Sequence, residues 1–380
     1  MEDFQYSFKL KSETEKGSKV YSFETADGVA SKDGFREAEL LLADTVETRE
    51  DEDLLVLYPG YGFLGVIFGD YTPEGKTVLA TSSDRSHQIA KHNLNENKIE
   101  NAESRKISSP KDLDRRFDKV LYAPKPYDNT DIVKNQLTEA IQLLKEDGEL
   151  YLASGKKEGL NRYKDWLKQF NGKLDKINSR DSYQLYRFKK NGDIESQKVK
   201  VGKSFEAEID GVKACFETVE GLFSPKELDE GSKLLIENAE ADSEDKIWDL
   251  ACGYGAIGIF LKKIYDPEIY FSDNNLKAVE KTERNLELNS IEEYKLENAD
   301  CLDTFYNQRF DKIVSNPPTH QGRGVTDEIF QNSYNRLKTG GELYIVYNQN
   351  LNYEQQLERI FNEVEILERK DNYALTKAVK

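Results

Sequence analysis

Cysteine is scarce: Cys215, Cys252 and Cys301 are the only three in 380 residues, odd in number and far apart. That pattern excludes a disulfide scaffold and offers no zinc-binding spacing, so no metal is expected. No run of apolar residues approaches the roughly 18–20 needed to cross a bilayer, and no membrane role is expected. The opening Met1-Glu2-Asp3-Phe4 lacks the basic and then apolar pattern of a secretory leader, so a reducing cytoplasm is the expected compartment. An excess of positive charge is also missing. The formal net charge is −17, an unfavourable total for a protein that grips a polyanion. The deficit is uneven, because residues 1–190 hold 31 Lys+Arg against 34 Asp+Glu while residues 191–380 hold 23 against 37. Residues 153–190 reverse the sign, with eleven basic residues against four acidic ones, interleaved with Tyr163, Trp166, Tyr183 and Tyr186. Such a stretch can supply phosphate contacts to a nucleic acid. A solvated helix and strand would carry the same residues.

What the chain does have is a repeat. Glu24-Thr25-Ala26-Asp27-Gly28 recurs as Glu217-Thr218-Val219-Glu220-Gly221, and Gly60-Tyr61-Gly62-Phe63-Leu64-Gly65 as Gly253-Tyr254-Gly255-Ala256-Ile257-Gly258. Phe117-Asp118-Lys119-Val120 recurs as Phe310-Asp311-Lys312-Ile313, and Gly148-Glu149-Leu150-Tyr151 as Gly341-Glu342-Leu343-Tyr344. One offset of 193 residues relates all four pairs, which divides the chain into two similar domains of ordinary size, 1–190 and 191–380.

Each half opens on a short β-rich element. In the second, residues 205–219 alternate around Asp210-Gly211, a hairpin-turn dipeptide. A helix is predicted over 225–239 with Ser224 as its N-cap. Strands are predicted over 246–250, 268–272, 294–297, 310–315 and 341–347, and helices over 255–265, 276–289 and 326–337. Residues 364–369 and 373–379 read as a closing strand pair. Alternating β and α elements predict a parallel sheet with helices on both faces.

Asp249-Leu250-Ala251-Cys252-Gly253-Tyr254-Gly255 falls where a strand ends and a helix begins. Its glycines permit a tight turn and close ligand approach, and the helix start favours anionic groups. Asp273, 20 residues after Gly253, ends the next strand, where a carboxylate can accept both ribose hydroxyls. This much equally suits a nicotinamide dinucleotide. Two features separate the readings. Asp249 stands where a dinucleotide site usually wants an apolar residue but a cationic amino-acid ligand wants a carboxylate. Ser315-Asn316-Pro317-Pro318 ends the fourth strand, at the edge where open α/β sheets do their chemistry.

With Gly221-Leu222-Phe223-Ser224, Leu228-Asp229-Glu230-Gly231-Ser232 and Thr319-His320-Gln321-Gly322 added, the second half resembles a class I S-adenosylmethionine (SAM) methyltransferase of the Asn-Pro-Pro type. It resembles the small-subunit ribosomal RNA guanine-N2 methyltransferases of bacteria and their archaeal relatives. That family carries tandem domains, the first degenerate, so the resemblance covers essentially the whole chain. It implies an α/β fold of two tandem Rossmann-like methyltransferase domains, each a seven-stranded, mostly parallel sheet with one antiparallel strand near the edge. It also implies SAM as cofactor and ribosomal RNA or the small ribosomal subunit as partner; on oligomeric state the sequence is nearly silent, and a monomer is the expectation.

By the same resemblance Asp249 and the Gly253/Gly255 turn would hold the methionine moiety and Asp273 the ribose. Asp300 and the Cys301 N–H would meet the adenine, with Phe223, Ala251, Cys252, Asn274 and Asn316 completing the cofactor site. Asn316 and the Pro317 carbonyl would accept both hydrogens of the target amine, with Pro318 stiffening the turn. His320 would take the released proton, contact the substrate or orient its loop. Thr319 stands where the family has an aromatic that stacks on the base, so either another aromatic serves, with Phe223 and Tyr254 as candidates, or the substrate differs.

In the first copy Val56 stands for Asp249, Ala123-Pro124-Lys125 for Asn316-Pro317-Pro318 and, with a one-residue slip, Thr81 for Asp273. That domain is expected to be catalytically silent and to help dock RNA. Its His87 and His92 read as surface residues. Two other readings share these motifs: a SAM enzyme acting on a protein amide or small molecule, and a ribosome-assembly factor without transfer activity.

Overall fold

The computed structural model describes residues 6–14, 17–126, 128–194, 202–300, 304–318 and 323–380. Contacts divide the chain into two units, Glu2–Val201 and Gly202–Lys380. The sequence repeat placed the division at 190/191.

In the second unit a hairpin pairs Gly202–Ile209 with Val212–Val219. Asp210 (φ 49°) and Gly211 (φ 78°) are both left-handed, as a two-residue turn matched to strand twist requires. The helix Glu230–Asn238 follows, and then a seven-stranded sheet. From one edge its strands run Lys295–Asn298, Glu268–Asp273, Lys246–Leu250, Phe310–Ser315, Leu337–Asn348, Tyr373–Val379 and Glu363–Lys370. The first five are parallel, and Tyr373–Val379 is antiparallel to both neighbours. The central strands are apolar on both faces because helices cover both. Ile247 and Val314 pack with Phe260 of helix Ala256–Tyr265 and Leu286 of helix Leu276–Leu288. Trp248 and Ile313 face the other way, toward Ile329 and Phe330 of helix Arg323–Arg336.

The first unit repeats this order with Ala102–Lys106, Thr77–Thr81, Leu54–Leu57, Phe117–Tyr122, Leu144–Gly155, Tyr183–Lys190 and Gly172–Arg180. No helix among the described residues is long and apolar enough to cross a membrane.

One buried side chain ties hairpin to helix in each unit. The Asn285 amide accepts from Glu217 N (2.7 Å) and donates to Glu217 O (3.1 Å) and Tyr254 O (2.9 Å). Asn93 does the same with Glu24 N, Glu24 O and Tyr61 O, each at 2.8 Å. An amide offers one donor and one acceptor side by side, so it pairs with a peptide unit as a further strand would. These pairs lie 192 residues apart, as do the helix caps Ser83 and Asn275. One residue is therefore dropped within this stretch, and Thr81 does stand opposite Asp273.

The expected helix over 225–239 begins later than its sequence suggests. Ser224 sits at φ 43° with its hydroxyl donating to Glu227 O (2.7 Å), inside a loop. Asp229 is the cap, its Oδ2 accepting from Ser232 N at 2.9 Å.

Candidate cofactor and acceptor site

The carboxyl ends of the parallel strands in the second unit collect the residues that the sequence singled out. Strand Lys246–Leu250 leaves the sheet through three left-handed residues, Ala251 (φ 59°), Gly253 (φ 61°) and Gly255 (φ 85°). For a residue with a side chain this conformation costs about 1–2 kcal/mol, so Ala251 is strained. A Cβ on Gly255 would press within 2.8 Å of Thr282, whereas one on Gly253 would meet nothing within 4 Å among the described residues. The second glycine thus packs the helix and the first leaves room for a ligand. Cys252 donates its backbone N–H to Ser272 O (3.0 Å). Burial holds its thiol far above the usual range, so it is no nucleophile.

Asp249 is fully buried one residue before the strand ends. Its Oδ2 accepts from Gly258 N at 2.8 Å, and its Oδ1 has no partner among the described residues. A Cβ on Gly258 would lie 2.2 Å from Phe271 and 3.0 Å from that Oδ2, so only glycine brings the N–H this close. Burial pushes the Asp249 carboxyl up to about 7; the Gly258 hydrogen bond opposes the shift and the charge of Asp273 adds to it.

Asp273 ends the neighbouring strand, with Oδ2 accepting from Gly253 N (2.9 Å) and Oδ1 from Asn275 N (2.8 Å). Each oxygen keeps a second lone pair for a ligand hydroxyl. Burial pushes this carboxyl up to about 6. Asn298 braces the loop by donating to Asp273 O (3.0 Å) and Asn274 O (3.2 Å). Asp300 follows strand Lys295–Asn298 at the same edge, its carbonyl accepting from Thr304 Oγ1 (2.8 Å).

Asn316 and the buried Pro317 leave strand Phe310–Ser315, which Ser315 Oγ pins to Leu250 O at 2.8 Å. The Asn316 Nδ2 donates to Asp229 Oδ2 and Ser232 Oγ, both at 3.0 Å. Asp229 Oδ1 in turn accepts from Tyr373 Oη at 2.9 Å. Sequence reasoning quoted Asp229 and Ser232 within a motif but assigned them no part, and missed Tyr373. Phe223 is 56% exposed. Tyr254, the alternative stacking residue, is instead buried against Phe205 and Phe216, because it closes the core beneath the hairpin. Cys301, Thr319, His320, Gln321 and Gly322 lie outside the described residues. The polar cavity of about 690 Å³ between Tyr306, Arg309 and Arg336 is not this site, since it opens where strand Phe310–Ser315 begins.

The residues present fit SAM. Asp249 offers an orphaned, buried anionic oxygen to the amino-acid ammonium, Gly253 offers room, and Asp273 offers acceptors to a ribose.

The same edge of the first unit is closed by its own side chains. Val56 is fully buried in place of Asp249, and Thr81 is buried in place of Asp273. Arg36 donates Nη2 to Ala123 O (3.2 Å) and Pro124 O (2.6 Å), the carbonyls that match those of Asn316 and Pro317. Lys106 pairs with Asp84 at 2.7 Å, and Arg85 donates to Asp27 O at 2.7 Å.

The pattern of the methyltransferase small domain family matches residues 20–187 and 213–377. A large-subunit ribosomal RNA methyltransferase G of Pseudoalteromonas translucida is 29% identical over 338 residues, covering 86% of each chain. An uncharacterised Bacillus subtilis protein is 37% identical over 171 residues, 43% of this chain and 85% of that one. The fold is shared with the 16S ribosomal RNA N2-guanine methyltransferase of T. thermophilus, solved with AdoMet and guanosine, at a TM-score of 0.83, 24% identity and coverage of 99% of this chain and 98% of that chain. The chain belongs to the methyltransferase small domain family and is a SAM-dependent methyltransferase.

Proposed function

We propose that this enzyme methylates the exocyclic N2 amine of a guanine in ribosomal RNA, at the site in residues 191–380, and acts as a monomer in the cytoplasm. Residues 1–190 form a silent copy that helps to dock the RNA. The observation that carries this reading is the Asn316 amide, tied down by its nitrogen at the sheet edge that also holds Asp249 and Asp273. The Pseudoalteromonas relative and the fold neighbour are both named as ribosomal RNA methyltransferases, and the neighbour is described with guanosine.

SAM supplies a methyl group already activated on a sulfonium. The protein's work is therefore positioning. Asn316 Oδ1 and the Pro317 carbonyl accept the two amine hydrogens and turn the nitrogen lone pair toward the methyl. Pro317 and Pro318 keep those acceptors in place. Once nitrogen has gained the methyl it carries a positive charge, and its proton leaves to solvent or to an adjacent acceptor. Phe223 is the exposed ring for stacking on the guanine, an interaction typically worth about 1–3 kcal/mol per base.

The basic stretch is less free than its composition suggests. Lys168, Lys173, Arg180, Arg187 and Lys189 pair with Asp165, Asp175, Asp44, Glu149 and Asp147, and Tyr163 is buried. Lys156 and Lys157 are exposed and make no ion pair among the described residues. They are the phosphate contacts we assign.

Label from tritiated SAM should pass to RNA rather than protein and reside in N2-methylguanosine, with separated ribosomal subunits telling which RNA is the target. Label in protein would overturn the reading. Asn316→Ala should cut transfer to a small residual rate while SAM affinity stays within a few-fold, because its task belongs to the transition state.

SAM binding should weaken on acidification below about pH 7 and again below about 6, because the ligand needs Asp249 and Asp273 ionised and burial has raised both. Calorimetry at pH 6 in buffers of different ionisation enthalpy should show protons released on binding, and none released would contradict the assignment.

Replacing Lys156 and Lys157 with glutamate should weaken RNA binding and lower the log–log salt slope by about 0.7–0.9 for each phosphate no longer neutralised. An unchanged slope would leave the stretch as solvated surface.

A further inference from the structure

A side-chain amide has two ends of nearly the same shape and opposite chemistry. To receive an amine hydrogen, Asn316 must present Oδ1. Turned over, it would set its own N–H groups against those of the substrate. Water would not choose between the two orientations, so a neighbour has to.

Two acceptors face Nδ2. Asp229 Oδ2 lies at 3.0 Å, and a carboxylate can only accept, so the turned amide would place oxygen against oxygen. Ser232 Oγ lies at 3.0 Å and faces Asp229 Oδ2 at 3.5 Å, which leaves its lone pairs for Asn316. Asp229 is itself held at both ends, by Ser232 N on Oδ2 (2.9 Å) and by Tyr373 Oη on Oδ1 (2.9 Å). Gly231 is what lets the tyrosine in, since a Cβ there would lie 2.7 Å from its ring.

The first copy provides the contrast. The residue 193 positions before Asp229 is Arg36, and Glu39 replaces Ser232. With Ala123 there is no amide to orient, and the same position now carries a cation that binds the Ala123 and Pro124 carbonyls directly. A helix cap alone would not need to change sign. The charge at this position follows the presence or absence of the asparagine.

We propose that Asp229, held by Tyr373, is a positioning residue that fixes the Asn316 amide with its oxygen toward the acceptor amine. This rests on the proposed role of Asn316. The two claims fail separately: if Asn316→Ala keeps full turnover, the parent reading falls, and if Asn316→Ala is inactive while the Asp229 and Tyr373 variants turn over normally, only this one does.

The test compares single-turnover methyl transfer to unmodified ribosomal RNA transcripts, followed long enough to read residual rates. Asp229→Ser keeps a capping hydroxyl but is too short to reach Asn316. Its transfer rate should fall about 10–100-fold, the range for losing a partner that orients a working group, with SAM affinity within a few-fold. Tyr373→Phe should fall less, and Asp229→Asn, which can still offer an oxygen to Asn316, should recover part of the loss. Because Asp229 acts only through Asn316, the Asp229→Ser/Asn316→Ala double variant should be no slower than Asn316→Ala alone. A further loss in the double variant would overturn the proposal. If Asp229→Ser fails to fold, Tyr373→Phe decides, because it leaves the cap intact: a slower rate not added to that of Asn316→Ala supports the proposal, and a wild-type rate overturns it.

Discussion

A buried carboxylate, Asp249, with one oxygen lacking a partner among the described residues sets the terms for the second unit. Leaving such a group unsatisfied costs about 1–3 kcal/mol or more when it is charged. The Gly258 N–H on Oδ2 offsets part of this, and the rise of the Asp249 carboxyl to about 7 lets it shed its charge when nothing is bound. A ligand ammonium would relieve both costs at once. Gly258 must then be glycine, because any side chain would strike Phe271 and push the N–H away from Asp249. The first unit escapes the constraint by placing Val56 there, and with it goes the reason to bind such a ligand.

The two units therefore separate scaffold from chemistry within one chain. Sheet order, the Asn93 and Asn285 clamps, and the buried Tyr61 and Tyr254 are common to both. What differs lies at one edge of the sheet. There the second unit places Asp249, Asp273 and Asn316 at the ends of its strands, while the first closes the edge with Arg36, Arg85 and Lys106 bonded to its own backbone and carboxylates. A fold that survives this exchange does not depend on its active site for stability.

Much of this was legible in the sequence because it rests on local pattern. The predicted strands Lys246–Leu250, Phe310–Ser315 and Tyr373–Val379 match residue for residue, since apolar runs bounded by turn residues are local signals. The helix start was misread because Ser224-Pro225 looks like a cap. Asp229 outcompetes it through partners 87 and 144 residues away, Asn316 and Tyr373, which no local rule sees. Tyr254 misled in the same way, being read beside its glycines rather than beneath a hairpin. The basic stretch looked free because three of the acids that neutralise it, Asp44, Asp147 and Glu149, lie outside its window.

The central claim is that one unit binds SAM and the other has closed its equivalent site. Calorimetric titration of the intact chain with SAM tests this most directly, through stoichiometry. One equivalent per chain is the result the account predicts, and two equivalents of comparable affinity would contradict it.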